Sequence, residues 1–178
     1  MADLGECWPQ EPDWRAAPHA WGLEIRPVDG VFQTLVSGDL EAWSAGSRIG
    51  LDVAPAPGRD YAVRVARDRV LAVTTQPMAS RPGWNASGHA ATDLSGGYLL
   101  LEISGARLPA LLSRAATLPR LDASPSAAIR FAGLDAVAYF MGQGVLRLHV
   151  DRSLSAYLWS WLQATDGASS GQDTQNQR

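Results

Sequence analysis

An α+β fold is what this sequence predicts, with a mainly antiparallel sheet and helices packed on one of its faces. Three observations carry the prediction. Several short runs alternate apolar and polar residues, as half-buried strands do. Two other stretches, 107–117 and 153–163, repeat their apolar residues at helical spacing. The second half then runs β, α, β, β, β, α, an order that places helices on one face of an antiparallel sheet.

Taken along the chain, Leu23–Arg26 reads as a short strand and Val31–Val36 as another. Asp39 is placed to cap a helix from Leu40 to Arg48, with Leu40 and Trp43 on one side. Pro55, Pro57 and Gly58 mark a turn. Tyr61, Val63 and Val65 alternate with smaller or polar residues, and Val70–Thr75 follows after Arg67-Asp68-Arg69, so the pair predicts a hairpin. Residues 76–97, with Pro77, Pro82 and several glycines, read as a long loop suited to binding or contact. Tyr98–Ser104 is the strongest strand. Gly105 breaks it, and a helix from Arg107 to Thr117 follows, carrying Leu108, Leu111, Leu112 and Ala115 on its apolar stripe and Pro109 in its first turn. Ala127–Phe131, Ala136–Met141 and Val145–Val150 are strands. In the last, Leu146, Leu148 and Val150 point inward and Arg147 and His149 outward. Ser153 caps a final helix to about Gln163, with Leu154, Tyr157, Leu158, Trp161 and Leu162 as its apolar side.

The 178 residues suit one domain, and 46% hydrophobic against 19% charged residues is enough apolar material for a packed core. The domain is assigned to 22–164. It lies between an extended Trp/Pro-rich segment, 1–21, and a polar tail, 165–178, whose composition predicts disorder. Net charge is −3 without a run of one sign, which argues against a nucleic-acid partner. Every basic residue is Arg, so lysine-dependent chemistry is excluded: no Schiff base, no phosphate-loop lysine. The one cysteine, Cys7, excludes an internal disulfide or a cysteine zinc site. No apolar run is long enough for a membrane helix, and the acidic start is unlike a signal peptide. The expected location is the cytoplasm.

No catalytic set is legible, and no catalytic, cofactor-binding or metal-binding residue is assigned. His19, His89 and His149 stand far apart without a second ligand at helix or turn spacing. Gly-x-Ser-x-Gly is missing. Gly142-Gln143-Gly144 joins two strands and reads as a hairpin turn, not a dinucleotide loop. Asp93 is read as a turn residue bonding backbone N–H groups. A chain without chemistry of its own acts through a surface. Trp8, Trp14 and Trp21, held extended by Pro9, Pro12 and Pro18, either pack on their own domain or anchor it in a partner's groove. They are assigned here to the partner interface, together with Arg147 and His149, and the segment is expected to wrap onto a larger subunit.

Three runs resemble the gamma subunit of heterotetrameric sarcosine oxidase: Ala91-Thr92-Asp93-Leu94-Ser95; Ile103-Ser104-Gly105 with Leu111-Leu112 and Leu121-Asp122; and Leu148-His149-Val150-Asp151-Arg152-Ser153 with Tyr157-Leu158 and Leu162. The same runs are similar to the first, folate-binding domain of the glycine-cleavage aminomethyltransferase. The segment Ala72–Met78 departs from the family pattern, lacking its acid and Trp. The resemblance implies a non-catalytic subunit that packs on a large flavoprotein alpha subunit, with beta and delta subunits completing the complex. It implies that FAD, FMN, NAD and tetrahydrofolate reside on those partners and none on this chain. A stand-alone folate-dependent one-carbon transferase and a small-ligand binding domain are the alternatives.

Overall fold

The computed structural model describes residues 10–16, 22–44, 60–79, 82–116, 126–142 and 144–173. The strands are β1 (Glu24–Pro27), β2 (Phe32–Gly38), β3 (Tyr61–Ala66), β4 (Arg69–Thr74), β5 (Gly83–Trp84), β6 (His89–Asp93), β7 (Tyr98–Ser104), β8 (Ala128–Phe131), β9 (Leu134–Phe140) and β10 (Leu146–Asp151). The helices are α1 (Leu40–Ser44), α2 (Leu108–Ala115) and α3 (Ser155–Asp173), the last entered through a 3-10 turn, Arg152–Leu154.

The strands form two five-stranded sheets, β1-β7-β10-β9-β8 and β3-β4-β2-β6-β5. Every pairing within them is antiparallel. The single sheet expected from the sequence is therefore two. The region 76–97, read as loop, contributes β5 and β6. Its glycines and prolines hid strands too short to show a full alternation. The sheets meet along one side, where Ala127 N donates to Arg64 O at 2.8 Å and Ser126 Oγ to Val65 O at 2.7 Å.

The core has layers. On the outer face of the first sheet, Leu99, Leu101, Ile103, Leu146, Leu148 and Val150 pack against Leu108 and Leu111 of α2 and Leu158 and Leu162 of α3. Between the sheets, Leu100, Val137 and Tyr139 meet Val63, Leu71 and Val73. A small third layer of Val36, Leu40 and Val70, with Trp43 and Met78, covers the far side of the second sheet. β10 is thus buried on both faces. Leu146, Leu148 and Val150 point inward as expected, but the face of Arg147 and His149 looks onto the second sheet and not onto solvent.

Local chemistry explains the element boundaries. Asp39 caps α1 as expected, its Oδ1 accepting from Glu41 N at 3.1 Å and Ala42 N at 3.0 Å. The cap of the last helical segment differs from the expectation. Asp151 Oδ1 accepts from Ser153 N at 2.9 Å and from Ser153 Oγ at 2.6 Å, so Asp151 is the cap and Ser153 its donor. Leu154 and Tyr157, expected on the apolar side of that helix, are exposed. The helix itself continues past Gln163 to Asp173, into the stretch expected to be disordered, because elongating a docked helix needs no further nucleation.

At the step from β7 to α2, Gly105 has φ +118°, and a Cβ there would lie 2.9 Å from Gly22 O. Both the left-handed backbone and the close approach require glycine. Gly105→Ala is expected to cost about 1–3 kcal/mol, read as a lower midpoint in chemical denaturation with an unchanged slope.

Candidate functional site

The polar groups between the sheets form one continuous chain. β2 supplies Gln33, β10 supplies His149 and Arg147, β9 supplies Tyr139, β3 supplies Tyr61, and β7 supplies Glu102. Strand alternation puts all of these side chains on the inward faces. His149 Nδ1 lies 2.5 Å from Gln33 Oε1, and His149 Nε2 lies 2.8 Å from the Tyr139 hydroxyl. The Tyr139 and Tyr61 hydroxyls are 2.7 Å apart, and Arg147 Nη1 donates to Tyr61 at 2.5 Å. Arg147 also donates through Nε and Nη2 to Glu102 Oε1, at 3.0 and 2.8 Å. The far oxygen of Glu102 takes Arg26 Nε at 2.9 Å.

These bonds fix the direction of every proton. Gln33 Oε1 only accepts, so His149 Nδ1 carries the hydrogen and donates to it. The neutral ring then accepts at Nε2 from Tyr139. Tyr139 has spent its O–H, so it accepts from Tyr61, which in turn accepts from Arg147. The amide orientation agrees, because Gln33 Nε2 donates to Tyr98 O at 3.1 Å. His149 is therefore the neutral Nδ1–H tautomer. It is fully buried, and burial, assisted by the Arg147 charge, lowers its pKa to about 3. Burial likewise raises Tyr61, and raises Tyr139 well above the ordinary phenol value. For Glu102, burial pushes upward, but the bonds and charges of Arg147 and Arg26 outweigh it and hold the carboxyl below its usual value.

Chemically this chain locks two sheets together. Each polar group of the chain has a partner, and a satisfied network of this kind rigidifies a fold. Arg147 and His149 are brought together as their neighbouring positions suggested, but inside the protein. Their assignment to a partner interface is corrected: the second sheet occupies the face they were expected to present. Trp14 is corrected in the same way. It is 3% exposed, packs edge-to-face on Trp159 with centroids 5.0 Å apart, and belongs to the helix-side core. Its segment is tied down by Arg152 Nη1 on Glu11 at 2.6 Å and by an Arg15–Asp29 pair. Trp8 and Trp21 lie outside the described residues.

The sequence reading missed Gln33, Tyr61, Glu102 and Tyr139. One signal was present: Glu102 is a charge inside the apolar run Leu99–Ile103, and its strand neighbours in register are Arg26 and Arg147. Asp93 does what a turn aspartate does. Its Oδ1 accepts from Ser95 N at 2.9 Å and from Ser95 Oγ at 2.6 Å, bonds that hold its pKa below the ordinary value. Ser95 Oγ in turn accepts from Gln33 N at 2.9 Å, which ties this turn to the buried chain. Among the described residues no group of three or more His, Cys, Asp or Glu is placed to hold a metal. No helix among them is long and apolar enough to cross a membrane.

The described residues thus form a two-sheet α+β domain whose sheets are joined by one buried polar chain. The sequence model of the sarcosine oxidase gamma subunit family matches residues 11–169, so the chain belongs to that family. Its fold is similar to a chain of the heterotetrameric sarcosine oxidase from Corynebacterium sp. U-96, solved in complex with pyrrole 2-carboxylate. The TM-score is 0.64 at 14% identity, covering 86% of this chain and 92% of that one. No curated protein matches the sequence.

Proposed function

We propose that this chain is the non-catalytic gamma-type subunit of a heteromeric sarcosine-oxidase-like complex in the cytoplasm. In this reading a large flavoprotein alpha subunit, with beta and delta subunits, holds FAD, FMN, NAD and tetrahydrofolate. The complex removes the methyl group of sarcosine or a related N-methyl amine oxidatively, and tetrahydrofolate takes up the one-carbon unit. The family match over residues 11–169 carries the reading, because it takes in every described strand. The committed state of His149, Tyr139, Tyr61 and Arg147 supports it, since a general acid or base must reach its substrate.

The test is reconstitution. The purified chain alone is expected to show no flavin absorbance and no sarcosine-dependent peroxide production. Co-expressed with a tagged alpha subunit, it is expected to co-purify in a fixed ratio and to raise the yield of active complex. A yellow chain that oxidises sarcosine unaided would overturn the reading, as would an alpha subunit that assembles and works equally well without it.

A further inference from the structure

The far face of the second sheet carries polar groups that the buried chain does not use. On β2, Gln33 points between the sheets, so Phe32 and Thr34 on either side of it point the other way. Asp93 of β6 lies opposite Thr34 in register, and alternation puts Asp93 and Ala91 on this same face. Pro77 and Met78 come from the stretch whose composition suited it to binding. Together these residues line a cavity of about 250 Å³.

Two oxygens of the lining are unspent. Thr34 is 8% exposed, and among the described residues its hydroxyl makes no hydrogen bond. Hydroxyls so nearly buried are ordinarily paired, so one left over inside a cavity points to an occupant. Asp93 uses Oδ1 on Ser95 N and Oγ, which leaves Oδ2 without a bond among the described residues. Side chains directly opposed on two strands have Cβ atoms about 4.5–5.5 Å apart, so both oxygens can reach one group.

The lining also sets the chemistry of that group. Among the described residues around the cavity Asp93 is the only charged one, so an anion is repelled and a cation attracted. Two side-chain oxygens are too few for a hard metal ion such as calcium, which takes about six or more. They suit N–H donors, and a charged pair of this kind gives the stronger hydrogen bond. Phe32, Pro77, Met78 and Ala91 make the rest of the wall apolar, and an aromatic wall favours a cation further. The volume lies below the range of about 300–1,000 Å³ typical of drug-sized sites, so only a small molecule fits.

We propose that this cavity binds a small alkylammonium, whose N–H groups donate to Asp93 Oδ2 and Thr34 Oγ1 and whose alkyl group lies against Phe32, Pro77 and Met78. The inference stands apart from the subunit reading, because it uses residues of this chain alone.

Titration of the isotope-labelled full-length chain with propylammonium chloride tests this, at fixed ionic strength and followed through the amide signals of Thr34, Ala91 and Asp93. Propylammonium is expected to shift these signals saturably. Ammonium carries the charge without the alkyl group, and propionate an alkyl group with the opposite charge; each is expected to bind roughly tenfold or more weakly. Asp93→Asn keeps a side-chain carbonyl for Ser95 and removes the charge, and is expected to weaken propylammonium roughly tenfold or more. Thr34→Val keeps the shape and removes the hydroxyl. It gives a second measure should Asp93→Asn fail to fold, and is expected to weaken propylammonium roughly threefold or more. The proposal is overturned by the absence of a saturable shift, by ammonium or propionate binding as tightly as propylammonium, or by an affinity unchanged in a folded variant.

Discussion

Trp14→Ala is expected to lower the unfolding free energy of the isolated chain by about 3–5 kcal/mol, the range for removing a buried large aromatic. The indole is 3% exposed and packs edge-to-face on Trp159. Its removal leaves a hole in the helix-side core against Trp159 of α3. For a domain of this size the loss is read as a midpoint drop of about 10 °C. Trp14→Phe separates packing from hydrogen bonding. Among the described residues the buried indole N–H has no partner, a situation that costs about 1–3 kcal/mol. Phe keeps much of the ring and removes that orphan donor, so its loss is expected to be well under half that of Ala. An Ala variant that melts like the parent but fails to join a large subunit would restore Trp14 to the partner interface.

The second large effect is acid sensitivity centred on His149. Its folded pKa is about 3, and an unfolded histidine titrates near 6.5. Above the unfolded value both states hold a neutral ring, and the full stability is present. As the pH falls from there towards about 3, the unfolded chain gains a proton that the folded core refuses. Unfolding is favoured by about 1.4 kcal/mol per pH unit, for a total of order 5 kcal/mol. The cause is the cavity of the ring: no solvent, an Arg147 charge nearby, and two neutral bonds that require the Nδ1–H tautomer. Denaturant melts at a series of pH values check this. His149→Gln removes the titration, so its stability, lower at neutral pH, is expected to vary much less between pH 4 and 6.5. Parallel curves for parent and variant would show that His149 is not the group responsible. Glu102, held below its usual pKa by Arg147 and Arg26, adds a further loss in the same direction at still lower pH.

Much of this fold was legible in the residues. Tyr98–Ser104 has the bounds its apolar run predicted, the hairpin of β3 and β4 follows from alternation, and Asp39 caps α1 as its position before Leu40 required. These features are local: period, turn chemistry and capping act within a few residues of one another. The pair β5 and β6 was lost because Gly83, Gly88 and Pro82 outweigh two very short strands in any local reading.

The family, too, was carried by short local runs, and the match over residues 11–169 agrees with them. The number of sheets could not be read that way. Alternation along β10 states that Arg147 and His149 share a face, and it is silent on what covers that face. Only the packing of the second sheet turns the pair from surface into core, because Gln33, Tyr61 and Glu102 arrive from strands distant in sequence. The same holds for Trp14. Its prolines fix an extended backbone, but whether an extended segment lies on its own domain or on another is decided by a socket that exists only once α3 has docked. Sequence by itself determined most of the elements and the kinship. Tertiary structure decided which polar residues are buried, since burial depends on surfaces brought together from far along the chain.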